Sequence, residues 1–183
     1  SLMIDCVEHL NIIEEYCHEC NDNINKFNPV GICIDLDMSY RISNIIRLGA
    51  HRSCIHNCND LKPILNKLKT CKYIALNGVM GYEASVAGVT DNNPYNSIPN
   101  FIVQILKPIF QRDCNNRRKN MVNLIKSYNI PISNNTFFIN GGGTGNIDTC
   151  SQDNIITEVT AGSGMIQSKI FDYFVNSQCK CAG

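Results

Sequence analysis

The sequence predicts an α/β protein built on a parallel sheet, and two observations support that fold class. Four short runs are continuously apolar, which is typical of strands that are buried on both faces. Between them lie segments whose apolar residues recur at three- and four-residue steps, as they do along one face of a helix. Strands that alternate with helices in this way are joined by crossover connections, and these connections make the strands parallel.

The elements follow one another in the order helix, strand, helix, strand, helix, strand, strand. Helical periodicity is found in three segments, residues 3–20, 60–70 and 102–128. Strand character is found in four runs, residues 30–37, 73–79, 136–140 and 155–160. Pro108 is expected to interrupt the third helix, because its ring removes a backbone hydrogen bond. Residues 85–99 are rich in glycine, proline, asparagine and aspartate and are expected to form a loop.

Composition and charge exclude several classes of protein. The 183 residues suffice for one domain, or part of one, and a hydrophobic share of 44% is wrong for a disordered chain. The 16 basic and 16 acidic side chains balance, so the chain has no excess positive charge with which to bind nucleic acid or an anionic membrane. No apolar run approaches the roughly 20 residues that span a bilayer, and no signal peptide is recognisable. We therefore expect a soluble, cytoplasmic protein that binds neither nucleic acid nor membrane.

The 11 cysteines are many for this length, and their number is odd. Several fall inside apolar or helical segments, where cysteine acts as a small buried hydrophobe. Cys17 and Cys20 have the spacing of half a zinc site, but the spacing of Cys179 and Cys181 is wrong for the other half. We therefore predict no metal site and interpret the cysteines as reduced thiols of a cytosolic protein.

Unusual residues are concentrated where the predicted strands end, which is where parallel α/β folds place their sites. Two glycine-rich turns follow successive strands, at residues 141–145 and 162–164. Glycine lets backbone N–H groups approach an anion closely, and Thr144 and Ser163 add hydroxyl donors. This pair of turns matches the phosphate site of a (β/α)8 barrel. Ordinary tight turns are the alternative, whereas a Walker loop is excluded because its Gly-Lys-Ser/Thr ending is missing.

Charged residues offer two further candidates. Asp35 and Asp37 lie two residues apart at the end of the first predicted strand, hence on one face. They could do acid/base work, or they could orient Arg41 or cap the turn, and the second interpretation is slightly favoured. The basic cluster of Arg112, Arg117, Arg118 and Lys119 is expected to be a solvated helix face rather than a binding patch.

Residues 78–89, with the sequence GVMGYEASVAGV, resemble the G-x-M-G-Y-E-A-x-x-A-G segment of bacterial amino-acid deaminase/aldolase proteins. These proteins belong to the alanine-racemase-like class of pyridoxal-phosphate (PLP) enzymes, alongside D-threonine aldolase. Four further stretches are similar in the same order, at residues 34–39, 48–53, 140–145 and 157–164. The resemblance covers nearly the whole chain, and several ordered motifs are far more specific than one.

The resemblance implies a binding site for pyridoxal 5'-phosphate. The residues that would hold its phosphate are Gly142, Gly143, Thr144, Gly162 and Ser163. Tyr82 would lie against the pyridine face, Thr160 near the pyridine nitrogen, and Arg52 near the cofactor and the substrate carboxylate. These residue types suit the roles, because backbone amides bind phosphate, guanidinium binds anions and an aromatic face suits a flat ring.

The resemblance also implies that a catalytic lysine lies elsewhere. The family's PLP lysine is on the first barrel strand, whereas the motifs here line up with strands five to eight. Lys26, Lys62, Lys67 and Lys72 fall in helices or loops. We therefore expect residues 1–165 to form the C-terminal half of a PLP-binding (β/α)8 barrel, and residues 166–183 to lead toward a second domain. Such a part would have no catalytic residue of its own and would be inactive alone.

For the intact protein, the resemblance favours an amino-acid aldolase or deaminase, a lyase, over a racemase, with a small amino acid as substrate. The alternative is a non-enzymatic PLP carrier, or another α/β module that binds phosphate ligands. The expected protein partners are a complementing N-terminal half or a second copy of the chain, because an open parallel sheet has unpaired edges.

Overall fold

The computed structural model describes residues 1–21, 28–43, 46–132, 137–166 and 168–175. Predictions made for Lys26, Thr136, Cys179, Cys181 and much of the segment 166–183 lie outside these residues. No helix in the described ranges is long and apolar enough to span a bilayer. The chain divides into two compact units. The first unit comprises Ser1–Asp37, Arg52–Met80 and Arg117–Ile139, and the second comprises Met38–His51, Gly81–Asn116 and Asn140–Gly183.

Five strands form one parallel sheet, so the predicted fold class is confirmed. The strands of the described residues are β1 (Leu2–Ile4), β2 (Val30–Asp35), β3 (Tyr40–Arg41), β4 (Arg47–Leu48), β5 (Ile74–Gly81), β6 (Phe138–Gly141) and β7 (Glu158–Val159). The order in the sheet is β1-β2-β5-β6-β7, the order of the chain, and β3 and β4 form a separate antiparallel ribbon. In a (β/α) barrel each strand lies beside the strand that precedes it in the chain. In a doubly wound sheet, by contrast, the strand order reverses partway through the chain.

The first strand corrects the prediction that a helix begins at residue 3. Leu2–Ile4 pairs parallel with β2, with Ile4 opposite Ile34, and helix α1 spans only Val7–Asn21. Three residues are too few to show the two-residue period of a strand. Ile4 is buried and also continues the apolar stripe of α1, so periodicity could not separate the two elements.

The second helix agrees with its prediction. Helix α2 spans Cys58–Leu68, and its apolar stripe is buried as expected, at Leu61, Ile64, Leu65 and Leu68. Asn57 and Asp60 form a capping box that satisfies the first backbone N–H groups of the helix. This helix and α1 pack against each other within the first unit.

The predicted interruption of the long helix at Pro108 is wrong. Helix α4 runs without a break over Asn100–Ser127. Val103 and Phe110 are buried on either side of the proline, and this packing offsets the one hydrogen bond that proline removes. The region expected as a loop contains the short helix α3 (Ala84–Ala87), and helix α5 (Ile147–Ser151) follows β6.

Candidate functional site

The first glycine-rich turn leaves β6 and leads into α5. Gly142 has a φ of 83°, a backbone conformation that favours glycine. Gly143 is extended, but a Cβ at this position would lie 2.7 Å from the Cβ of Ala87 and 2.8 Å from the ring of Tyr82. Because Gly143 has no side chain, Tyr82 packs directly against the turn. The structure thus places Tyr82 beside the predicted phosphate loop.

The second glycine-rich turn meets the first. The hydroxyl oxygens of Thr144 and Ser163 are 3.1 Å apart, and the Gly164 N–H donates to the Thr144 hydroxyl over 2.9 Å. Strands β6 and β7 are parallel neighbours, so their carboxyl ends deliver both turns to one place. The two turns that the sequence singled out therefore form one local structure.

The paired turns are open to solvent along one edge, which Gly162 and Ser163 form and which we call the rim. Gly162 and Ser163 are exposed, and a Cβ at Gly162 would meet no atom within 4 Å. Thr144 is buried, so its hydroxyl is fixed beneath the rim. The Gly143 N–H already donates to the Asn146 side chain at 2.9 Å, so an anion would have to share this donor. Hydroxyl groups and backbone amides at an open rim can hold a group of the size and charge of a phosphate.

Thr160, predicted to lie near the pyridine nitrogen, is anchored at the end of β7. Its N–H donates to the Gly141 carbonyl oxygen at 3.1 Å, and its hydroxyl accepts a 2.6 Å hydrogen bond from the Asn140 side chain. The same Asn140 amide donates to the Glu158 carboxylate at 2.6 Å. Asn140 is buried and holds Thr160 in place, a role that was not predicted.

A buried polar network supports the first turn. The Glu83 carboxylate is fully buried and accepts hydrogen bonds from the side chains of Gln111 (2.9 Å) and Asn146. The Cys150 thiol donates to the same oxygen at 2.9 Å. Because Asn146 also accepts the Gly143 N–H, a single side chain links Glu83 to the turn. Sequence reasoning missed this network: Glu83 stood out only as a charge within a motif, and Gln111 carried no signal.

A cavity of about 680 Å³ in the second unit is lined in part by the half-buried Lys107. The Lys107 ammonium lies 2.9 Å from the Asp91 carboxylate and 4.3 Å from the centre of the Phe174 ring. Burial lowers the pKa of Lys107, and the contact with Asp91 opposes that shift. The sequence did not single out Lys107. Lys62 and Lys67, which were weighed as candidates for the PLP lysine, lie on α2.

In the first unit, Arg52 forms a two-point ion pair with Asp35 at the end of β2. The Arg52 Nε lies 2.9 Å from Oδ2, and Nη2 lies 3.1 Å from Oδ1. Burial raises the pKa of Asp35, and the hydrogen bond from Arg52 opposes the rise. Asp35 therefore orients Arg52, whereas the contact expected with Arg41 stays a prediction. The role of Arg52 beside a cofactor stays a prediction, and such a contact would compete with this ion pair.

The basic cluster on α4 is not the solvated face that was expected. Arg118 is fully buried, and Arg117 is half-buried and donates to the Asp37 carbonyl oxygen at 2.6 Å. Only Arg112 and Lys119 are exposed. A 28-residue helix that buries residues along its whole length cannot turn four nearby basic side chains to solvent.

Two solved structures are similar to this chain in fold. One is D-threonine aldolase from Filomicrobium marinum, with a TM-score of 0.61, 10% identity, and coverage of 88% of this chain and 35% of that one. The other is D-threo-3-hydroxyaspartate dehydratase from Delftia sp. HT23, with a TM-score of 0.59, 17% identity and the same coverage, 88% and 35%. No protein-family model and no curated protein matches the sequence. The chain thus shares the fold of about a third of each of these enzymes.

Proposed function

We propose that the chain is part of a (β/α) barrel that binds PLP in an enzyme of amino-acid metabolism, and that the paired glycine-rich turns hold the PLP phosphate. The observation that carries this proposal is the meeting of the two turns through Thr144 and Ser163. The likeness in fold to two enzymes named for amino-acid substrates supports it independently. Threonine and 3-hydroxyaspartate both carry a β-hydroxyl group, so the favoured activity of the whole protein is a lyase reaction on a β-hydroxy amino acid.

The residues of the turns fit this cofactor. The Ser163 hydroxyl and the Gly162 backbone border open space, with the Thr144 hydroxyl beside them. Their role in the proposal is to donate hydrogen bonds to the phosphate oxygens, which are strong acceptors. Tyr82, which packs on the turn, flanks the cofactor ring, and Thr160 offers its hydroxyl to the ring nitrogen. When bound, PLP supplies an electron sink for cleavage of a bond at Cα.

The proposed chemistry also needs a lysine. Within the described residues, strands β1–β7 carry none. In the proposal, a lysine from another part of the barrel completes the active site. The same observation keeps a second candidate function open, a PLP carrier that has no catalytic lysine.

Binding of pyridoxine 5'-phosphate tests the phosphate site. This ligand lacks the PLP aldehyde and so does not react with surface lysines, and the chain has 7 tyrosines and no tryptophan, so tyrosine fluorescence reports binding. We expect Ser163→Ala to weaken binding by about 10- to 100-fold, since a hydrogen bond to a charged group contributes about 1.5–3 kcal/mol. Ser151→Ala, which removes a hydroxyl at the end of α5, is the matched control. Equal affinities for the wild type, Ser163→Ala and Thr144→Val would refute the site.

Activity is tested on the whole protein with D- and L-threonine and serine, with and without divalent metal. Release of an aldehyde or a keto acid would support the lyase. Racemised alanine without either product would overturn the lyase in favour of a racemase. Intact cofactor binding without turnover would favour the carrier.

A further inference from the structure

The end of β1 and the first turn of α1 bring three metal-ligating side chains together. Asp5 follows the last residue of β1, Cys6 precedes the first residue of α1, and His9 lies in the first turn of the helix. A carboxylate oxygen, the thiol sulfur and a ring nitrogen lie within 4.8 Å of one another. Among the residues that the structure describes, this is the one group of three or more histidine, cysteine or acidic side chains whose ligand atoms lie this close together.

We propose that Asp5, Cys6 and His9 bind a zinc ion or a similar thiophilic divalent cation. Sulfur, imidazole nitrogen and carboxylate oxygen are the ligand atoms that zinc takes in proteins. His9 Nδ1 lies 3.3 Å from Asp5 Oδ1. Two ligands at zinc distances of about 2.0–2.2 Å and a tetrahedral angle are about 3.4 Å apart. Asp5 Oδ1 and His9 Nδ1 are therefore already at the spacing of two zinc ligands. Rotation of the Cys6 side chain would bring its sulfur to the position of a third ligand.

The electrostatics of the cluster favour a cation between these atoms. His9 Nδ1 accepts the backbone N–H of Asp5 at 3.4 Å and lies 3.3 Å from Asp5 Oδ1, so a metal ion bound by Nδ1 would replace that N–H contact. Electron-rich atoms in this arrangement repel one another unless a proton or a metal ion lies among them. The simpler alternative is an ion pair of His9 with Asp5, and cobalt(II) binding distinguishes the two.

The surroundings suit an exchangeable site rather than a closed structural one. The side chains of His9 and Asp5 are 48% and 22% exposed, so an ion can enter and a fourth position is left for water or another ligand. Binding would transfer the Cys6 thiol proton to solvent as the sulfur–metal bond forms.

Cobalt(II) substitution provides the test. The 183-residue chain is titrated with Co²⁺ in a reducing, non-chelating buffer, and the absorption spectrum is recorded. We expect a sulfur-to-cobalt charge-transfer band together with the visible bands of tetrahedral cobalt, saturating at one ion per chain and abolished by Zn²⁺. Cys6→Ser should remove the charge-transfer band. His9→Gln should weaken Zn²⁺ binding by more than the roughly 10- to 100-fold that loss of an outer-shell partner costs.

The Cys17–Cys20 pair on the same helix supplies the matched control. Cys17→Ser with Cys20→Ser removes the other pair of thiols with metal-binding spacing and should leave the spectrum unchanged, while circular dichroism verifies that each variant is folded. A band that survives Cys6→Ser and disappears in the double variant would overturn the assignment. Absence of saturable binding by the folded wild type would refute the site and leave the ion pair of His9 with Asp5.

Discussion

Replacing Gly143 by alanine tests whether close packing against the first glycine-rich turn shapes the candidate site. The backbone at Gly143 is extended, so alanine adopts it without strain. The new Cβ would lie 2.7 Å from the Ala87 Cβ and 2.8 Å from the Tyr82 ring, closer than carbon atoms pack. Ala87 is held by helix α3 and cannot swing aside. The turn must therefore shift, or Tyr82 must rotate away from it.

The expected magnitude follows from two opposing effects. Overpacking of this kind costs about 1–3 kcal/mol. Replacing glycine also lowers the entropy of the unfolded chain, which offsets about 0.4–1 kcal/mol of that cost. The net loss in the free energy of unfolding is then up to about 2.6 kcal/mol, which lowers the Tm of a chain of this size by up to about 10 °C. Binding of pyridoxine 5'-phosphate should weaken as well, because both Tyr82 and the turn are displaced.

Thermal unfolding followed by far-ultraviolet circular dichroism measures the change. Gly162→Ala is the matched control, since its Cβ would meet no atom within 4 Å, and its Tm should be unchanged or slightly higher. If Gly143→Ala unfolds at the same temperature as this control, the steric reasoning is refuted. A loss of equal size in both variants would also contradict it, because the cause would then be the replacement of glycine itself.

Three further predictions concern buried charges. Burial raises the pKa of Asp35, so the folded state binds this proton more tightly than the unfolded state does. The free energy of unfolding of the wild type should therefore fall, relative to that of Asp35→Asn, as the pH rises from about 3.8 through the raised pKa. The pKa of Lys107 is lowered by burial, so the wild type should gain stability relative to Lys107→Met as the pH rises toward 10.5. Urea unfolding at a series of pH values checks both, and a pH-independent difference would contradict either. Glu83→Ala should lower the free energy of unfolding by at least about 1–3 kcal/mol, because it leaves buried donors without an acceptor, and the urea midpoint measures this loss.

Much of the fold could be predicted from the sequence, because its signals are local. A continuous apolar run predicted β2, and an apolar stripe predicted α2 to within two residues at each end. The two glycine-rich turns follow strands that are consecutive in the chain. Consecutive parallel strands are usually neighbours in a sheet, so the sequence order was enough to predict that Thr144 and Ser163 would lie near each other. Strand β1 escaped prediction because three residues carry no measurable period.

Only the tertiary structure decided which distant side chains meet. Arg52 pairs with Asp35, 17 residues away, and Asn146 reaches Glu83 across 63 residues. Periodicity tells which face of an element a residue occupies, but the partner of a buried charge depends on how separate elements pack, and no local pattern records that packing.

The cluster at the end of β1 shows the same limit over a short distance. A helix beginning at residue 3 would turn adjacent side chains about 100° apart around its axis, and Asp5 and Cys6 would then face different directions. Because the strand ends at Ile4 and α1 begins at Val7, both residues lie in the bend between the two elements. There their ligand atoms converge with that of His9. The sequence supplied the residue types, and the change from strand to helix, which depends on pairing with β2, determined their geometry.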